Sequence, residues 1–390
     1  FQRSRRFIIM SRLNVGNLFN ENEDGAPVVS GISTFSSPNY FVPPSGSTAQ
    51  RPQNPGEGMI RFNTDSGHLE YYTGTHWADV ITNNNELGDQ NNSNSTGGTG
   101  HRGLVGNGSA PGVADSNVID YVSIPTLGNA QDFGNSSAGR RWSAACASNT
   151  RGVWGGGEPA VDTIDFVTIA STGNATDAAN LSVARGNISS LSNQTRGIWA
   201  GGGTPAAQDV IDYITIASIG NAVDFGNLIT ANRYQNTCAS SVRGIIAGGL
   251  VSPTTHNYIE YITISSTGNA QDFGDLTTSF GAGAGFSNSI RGVFSGGYGG
   301  TSPYPRHNTI QFITIASTGN SQDFGDATVS LSGRTGFASP TRGISAGGAS
   351  PFNNTIDFIE IPTTGNAVDF GNLSVARAYV GGCSNGHGGL

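Results

Sequence analysis

An all-β fold is what the sequence predicts, arranged as a ring of six four-stranded sheets, a β-propeller. Three observations carry that expectation. An Arg-Gly dipeptide followed by apolar residues and more Gly recurs at Arg102, Arg151, Arg196, Arg243, Arg291 and Arg342, at intervals of 45 to 51 residues. That spacing matches the period of ~40–50 residues for one propeller blade. Each copy then gives an Ile–acid–aromatic segment, at Ile119-Asp120-Tyr121, Ile164-Asp165-Phe166, Ile211-Asp212-Tyr213, Ile259-Glu260-Tyr261 and Ile356-Asp357-Phe358, with Ile310-Gln311-Phe312 carrying an amide instead. A Gly-Asn turn follows every time, at Gly128, Gly173, Gly220, Gly268, Gly319 and Gly365. No stretch sustains a 3.6-residue period, and Gly interrupts every candidate helix.

Each unit reads as four short strands. In the copy from Ala184 they are ARGNISSLS, RGIWAGG, VIDYITIAS and DFGNL. The third is apolar on both sides, with Ile211 and Tyr213 on one face and Ile214 and Ile216 on the other. A strand packed between two neighbouring sheets needs that pattern. The Gly pair ending the second strand suits a close approach of backbones, and Gly-Asn supplies a turn with positive φ. The chain ends indicate how the ring closes. Arg102-Gly103 has only a polar linker before it, whereas the last residues, SVARAYVGGCSNGHGGL, match a first strand with no second strand after it. Arg377–Ser384 is therefore expected to complete the sheet begun at Arg102, giving six blades and no open edge.

Composition narrows the function. The chain has 58 Gly in 390 residues, 36% hydrophobic and 12% charged side chains, too apolar and too weakly charged for disorder. The Gly has no period of three, which excludes collagen. The 19 basic residues are all Arg and the net charge is −8, so binding to nucleic acid is not expected. No apolar run approaches the ~18 residues of a membrane helix, and membrane insertion is not expected. Arg3, Arg5 and Arg6 precede Phe7-Ile8-Ile9, but that stretch stops at Ser11-Arg12, short of the ~7–15-residue core of a signal peptide. Export by that route is not expected, and Met10 offers an alternative start.

Ahead of the repeats lie three other pieces: an extended attachment segment over 1–56, a β-meander over 57–82 and a polar Gly/Ser/Asn linker over 83–100, with the propeller spanning 101–390. In the meander Met59–Asn63 pairs with His68–Tyr72, and Thr75–Val80 follows. It is too small to bury a core alone, so Met59, Ile60, Phe62, Leu69, Tyr71 and Trp77 are expected to form a shared apolar surface between copies. The segment RPQNPGEGMIRFNTDSGHLEYYTGTHW resembles a module near the N-termini of bacteriophage fibre proteins, notably those of cyanophages. FSSPNYFVPPSGSTAQ before it and the Gly-Asn-Ala-x-Asp-Phe-Gly repeats after it resemble the same group. Residues 101–390 also resemble kelch-type propellers, which carry a Gly pair after the second strand and often close with a C-terminal innermost strand. The usual kelch Tyr and Trp spacing is absent.

The resemblance implies a virion protein, a tail or head fibre subunit, attached to other virion proteins through its N-terminal segment. It also implies a homotrimer, since the meander resembles modules of trimeric fibres. Its expected work is adhesion to a host-surface glycan or other receptor; the alternatives are a purely structural head-decoration or tail-assembly role and a glycan-degrading enzyme. The adhesive face is expected where loops vary. The 3–4 turns are near copies, whereas the 2–3 loops change in length and composition, reaching YGGTSPYPRHNT in the fifth unit. Binding residues concentrate on loops held by a rigid scaffold, which singles out Tyr298, Tyr304, Arg306, His307, His256 and Tyr258.

No catalytic residues, metal site or cofactor are expected. The six His form no short-spaced ligand pair, the Asp boxes of sialidase-type propellers are missing, and the Gly-rich strings lack a phosphate-loop context. Cys146, Cys238 and Cys383 fall where other copies have Leu191, Phe286 and Phe337, which marks a buried apolar position. The Arg of each Arg-Gly is expected to pair with an acid such as Asp120, Asp165 or Asp212.

Overall fold

The computed structural model describes residues 43–65, 68–80, 101–203 and 205–390. The attachment segment as far as residue 42 and the linker over 83–100 lie outside the described residues. Two compact units emerge, Phe1–Asn84 and Asn85–Leu390.

In the first unit, Ile60–Asn63 pairs with His68–Tyr72, which pairs with Trp77–Asp79. Ser45–Gly46 adds a parallel strand against Phe62 and Asn63, upstream of the boundary expected at residue 57. The two faces of this sheet invert the usual pattern. Arg61, Asn63 and Glu70 are buried beneath a single 3-10 turn at Thr48–Gln50. The Glu70 carboxylate accepts from Arg51 Nε (3.2 Å) and Asn63 Nδ2 (3.1 Å) and lies 3.4 Å from Arg61. The bonds from Arg51 outweigh the cost of burial and hold that carboxyl below its ordinary range. On the other face Ile60, Phe62 and Tyr71 are exposed, as is neighbouring Met59, and the register Ile60↔Tyr71, Phe62↔Leu69 sets these side chains side by side. Trp77 sits opposite Tyr72, so the register separates it from the other five residues; its ring meets Tyr72 at 5.5 Å and the Arg51 guanidinium at 5.9 Å.

The second unit is six four-stranded antiparallel sheets, a propeller-like all-β arrangement. Sheet 1 is Gly381–Ser384, Arg102–Gly106, Val118–Ser123 and Gln131–Asn135, so the C-terminal strand does precede the Arg102 strand. Sheets 2 to 6 run continuously, with first strands Ala144–Ala147, Ser189–Ser192, Asn236–Ala239, Ala284–Ser287 and Thr335–Ala338. Each first strand packs against those of the sheets before and after it, and the sixth packs against the first.

Apolar clusters fill the spaces between sheets. Ile211 and Tyr213 join Ile246 and Ile262 of sheet 4, whereas Ile214 and Ile216 join Cys146 and Val153 of sheet 2, as the two-sided pattern requires. The three cysteines are free and buried, each in a different cluster. Burial pushes the Cys383 thiol up to about 12, so it behaves as a small hydrophobe.

Of the motif arginines only Arg342 shows the expected ion pair among the described residues, with Glu360 of its own sheet at 3.0 Å; elsewhere the Arg-Gly motif has a different role. Arg102 opposes Ser123 at the end of its neighbouring strand, while Asp120 opposes Val105 three residues further in, about 10 Å along the strand. The motif arginine instead reaches the next sheet. Arg102, Arg151, Arg196, Arg243, Arg291 and Arg342 donate to the carbonyls of Ile169, Ile216, Ile264, Ile315, Ile361 and Ile124, at 2.8 to 3.2 Å. Each guanidinium also lies 4.6 to 5.0 Å from the aromatic ring of its own third strand. The sixth arginine returns to sheet 1, so these bonds run full circle. The motif glycine serves the preceding sheet: a Cβ on Gly103 would stand 2.0 Å from the Phe337 ring, and one on Gly197 2.7 Å from Cys146 Sγ. Asp120, Asp165, Asp212 and Asp357 pair with other arginines, namely Arg377, Arg140, Arg185 and Arg334, at 2.8 to 2.9 Å and almost without solvent access.

After Ser384 the tail crosses one end of the central channel. Gly388 N donates to Ser287 O (2.9 Å), and His387 Nε2 lies 2.9 Å from Ala147 O and 3.2 Å from Ser192 Oγ. Gly389 N donates to His387 Nδ1, so the imidazole is the neutral Nε2–H tautomer, and burial lowers its pKa.

Candidate functional site

The opposite end of the channel is the face with the variable loops. Four residues before Cys146, Leu191, Cys238, Phe286, Phe337 and Cys383 stand Trp142, Asn187, Tyr234, Ala282, Gly333 and Tyr379, on the connections between sheets. All six adopt the left-handed backbone conformation, with φ from 54° to 67°. The turn lets the N–H of Tyr234 donate to Asn187 O, Ala282 to Tyr234 O, Gly333 to Ala282 O, Tyr379 to Gly333 O and Trp142 to Tyr379 O, at 2.7 to 3.1 Å. A girdle of backbone bonds thus frames the mouth.

The girdle side chains meet the loops in a continuous aromatic track. Trp142 stacks on Tyr379 (centroids 4.3 Å) and meets Tyr234 edge-on (4.6 Å). Tyr234 touches Tyr298 (6.1 Å), Tyr298 touches Tyr304 (5.4 Å), and Tyr379 touches Phe352 at the other end (6.4 Å). Burial pushes the phenols of Tyr234 and Tyr298 up, which keeps them as neutral donors and acceptors.

The residues singled out from the sequence divide into two groups. Tyr298 and Tyr304 lie in the track. Tyr304 Oη donates to Pro253 O (3.0 Å), and Thr255 N to Gly300 O (3.1 Å), so the 2–3 loops of sheets 4 and 5 brace each other. Arg306, exposed, opposes Tyr298 in the sheet, and half-buried His307 lies against Gly299. His256 and Tyr258 stack on one another at 4.7 Å, and no ring contact joins them to the track among the described residues. Burial lowers the His256 pKa and raises that of Tyr258.

Trp142, Tyr234, Tyr379 and Phe352 were not among the candidates. The first three are equivalent by backbone conformation, and the only sequence signal is their offset of four from the Cys/Leu/Phe position.

Two spaces adjoin the track. A cavity of about 110 Å³ lies under the mouth, lined by Trp142, Tyr234, Tyr379, Asn187, Asn236 and Thr335 among others. A cleft of about 180 Å³ lies outside it, between Arg141, Glu158, Arg233 and Asn187. Arg141 bridges Asp115 (2.8 Å) and Glu158 (3.4 Å), and Asn187 Nδ2 donates to Glu158 (2.6 Å). Arg233 lies over the Tyr234 ring at 5.5 Å. No protein-family model matches this chain, and no curated protein matches it.

Proposed function

We propose that the chain is a phage virion fibre subunit whose second unit is a closed, kelch-like six-bladed propeller, and that its loop face adheres, without catalysis, to host-surface glycan. The aromatic track carries this reading. Six rings in serial contact make a platform on which the apolar faces of sugar rings stack, while phenols and loop polar groups supply hydrogen bonds. The carboxylates of Asp115 and Glu158 are tied as struts to Arg141, the chain neighbour of Trp142. Weak single contacts would be summed over the copies on a particle.

Adsorption tests this reading. Tyr304→Ala combined with Arg306→Ala is expected to weaken binding to host cells and to purified host polysaccharide at least several-fold. The melting temperature should move by less than about 4 °C, because exposed loops carry little stability. Gln271→Ala and Gln322→Ala, on the 3–4 turns of the opposite face, are expected to leave adsorption alone. Equal loss in both sets, or in neither, would remove the loop face from the reading.

The first unit is assigned to assembly, three chains joined through Met59, Ile60, Phe62, Leu69 and Tyr71, with the N-terminal segment held by other virion proteins. An exposed apolar face over a buried ionic one has no core of its own to serve. Light scattering of the full chain at micromolar concentration should give three times the 40.1 kDa chain mass, and Phe62→Asp should reduce it to one; a clean monomer from the unaltered chain contradicts the assignment. A structural head-decoration or tail-assembly role is the second reading. It draws on Leu127, Val242 and Ile290, apolar side chains more than half exposed on the 1–2 and 3–4 connections.

A further inference from the structure

We propose that the channel mouth is a blind pocket for the end of a neutral glycan. Trp142, Tyr234 and Tyr379 would stack on the terminal sugar, and the uncharged side chains beneath them would bind its hydroxyls. The proposal rests on the reading of this face as a glycan-adhesion surface and names the part of the glycan it takes.

The backbone supplies the first argument. The girdle position demands a left-handed conformation, which Gly adopts freely and Asn tolerates, and which large side chains resist. Gly333 and Asn187 are the comfortable solutions. Trp142, Tyr234 and Tyr379 place bulky rings on the same backbone at φ of 54°, 63° and 61°. Strain of this kind persists where surrounding structure enforces it, and it clusters at ligand sites. Nor are these rings core: Trp154 and Trp199 are wholly buried between sheets, whereas the three girdle rings keep part of their surface open. Side chains that the local backbone disfavours and the core does not use are explained by what they touch from outside.

The cavity supplies the second. Asn236 is 2% exposed, yet neither Oδ1 nor Nδ2 has a partner, and Asn187 Oδ1 is likewise unpartnered. Both residues line the cavity. Donor and acceptor capacity is therefore unspent in one small space, the complement of hydroxyl groups, which both donate and accept. The one charged side chain in the lining, Arg334, sends Nη1 to Asp357 and Nη2 to Ser345 O, and only its Nε is without a partner. A carboxylate-bearing sugar would find there only a guanidinium whose charge Asp357 already balances at 2.9 Å. The far end of the channel is crossed by His387–Leu390: a Cβ on Gly388 would stand 2.1 Å from Asn288 O, and one on Gly389 2.0 Å from Ser192 O. A pocket closed behind admits an end, not the middle of a chain.

The test uses the full chain and defined probes, the methyl α-glycosides of glucose, galactose and mannose, with glucuronate for comparison. Binding is read from tryptophan emission, since Trp142 is the partly exposed tryptophan of its unit while Trp154 and Trp199 are sealed. At least one neutral glycoside should give a saturable shift below about 100 mM, with glucuronate about tenfold weaker. Tyr234→Gly, Tyr379→Gly and Asn236→Leu should each weaken it about tenfold, and Tyr234→Phe should retain it. The two glycine variants should melt no lower than the unaltered chain, because glycine relieves the left-handed backbone; rings serving only as packing would lower the melting temperature and leave affinity alone. The pocket is overturned if no neutral glycoside shifts the emission, if glucuronate binds as well, or if the glycine variants bind normally. Host polysaccharide separates the two levels: binding that survives the mouth variants sinks the pocket and spares the adhesion reading, whereas no binding by the unaltered chain sinks both.

Discussion

Removing Arg377–Leu390 is expected to abolish stable folding of the six-sheet unit. The loss is concentrated in one sheet but felt around the ring. Gly381–Ser384 is the first strand of sheet 1, in register with Gly103–Gly106, so its absence exposes the backbone edge of a central strand. Arg377 is the partner of Asp120, which is fully buried; an unpaired buried carboxylate costs about 3–5 kcal/mol. Ser384 exchanges two hydrogen bonds with Ala338 of sheet 6, and Cys383 sits in the cluster that joins sheets 1 and 2. The cut therefore removes contacts with both neighbouring sheets as well as the inner edge of sheet 1. Aggregation, or a melting temperature lower by more than about 10 °C, is the expected outcome. A truncated chain that stays soluble and melts within a few degrees of the full one would show that the other five sheets hold without closure. Arg377→Met isolates the ion pair, and should recover less than half of the full effect.

The six units, the closing strand and the two-faced third strand were legible because each signal repeats. One Ile–acid–aromatic segment is ambiguous, whereas five at a near-constant interval, with a sixth carrying Gln311 for the acid, fix a strand and its partner. Reach along a strand was not legible. The motif arginines and the acids share five of the six units, so pairing them was the economical reading, yet three residues of extended chain separate Arg102 from the position opposite Asp120. The partner arginines are harder to see because they do not occupy one position: Arg140, Arg185 and Arg377 stand six residues before Cys146, Leu191 and Cys383, but Arg334 stands three before Phe337. At the candidate site, loop variation pointed to Tyr298 and Tyr304. The girdle stayed hidden because Trp, Asn, Tyr, Ala, Gly and Tyr share no chemistry, only a backbone conformation.

Arg185→Phe is expected to destabilise the second unit by about 3–5 kcal/mol, and Arg185→Phe with Asp212→Gln by far less. Sheets 4 and 5 show why. Where sheets 1, 2, 3 and 6 bury an Arg–Asp pair, sheet 5 has Phe280 at the arginine position and Gln311 at the acid. The amide satisfies itself: Gln311 Oε1 accepts from Thr277 N (2.7 Å), Thr277 Oγ1 (2.6 Å) and Ser321 Oγ (2.8 Å), and Nε2 donates to Thr278 O (3.1 Å). Sheet 4 has Asn232 in place of the arginine and Glu260 as the acid, and burial pushes that carboxyl up, toward the neutral form. Sheets 1, 2, 3 and 6 thus balance a buried charge with a partner, sheet 5 removes it, and in sheet 4 the backbone N–H of Ile229 donates to the Glu260 carboxyl at 3.1 Å. In sheet 3 the single change strands Asp212, fully buried, with Ser182 as its remaining donor. The double change removes the charge with its partner and installs the sheet 5 solution. It keeps a residual cost of about 1–2 kcal/mol, because Arg185 Nε also donates to Gly201 O at 2.8 Å. Urea denaturation of the two variants and of Asp212→Gln alone closes the cycle. A double variant no more stable than Arg185→Phe would mean that the arginine matters for its backbone bonds and not for the charge it balances.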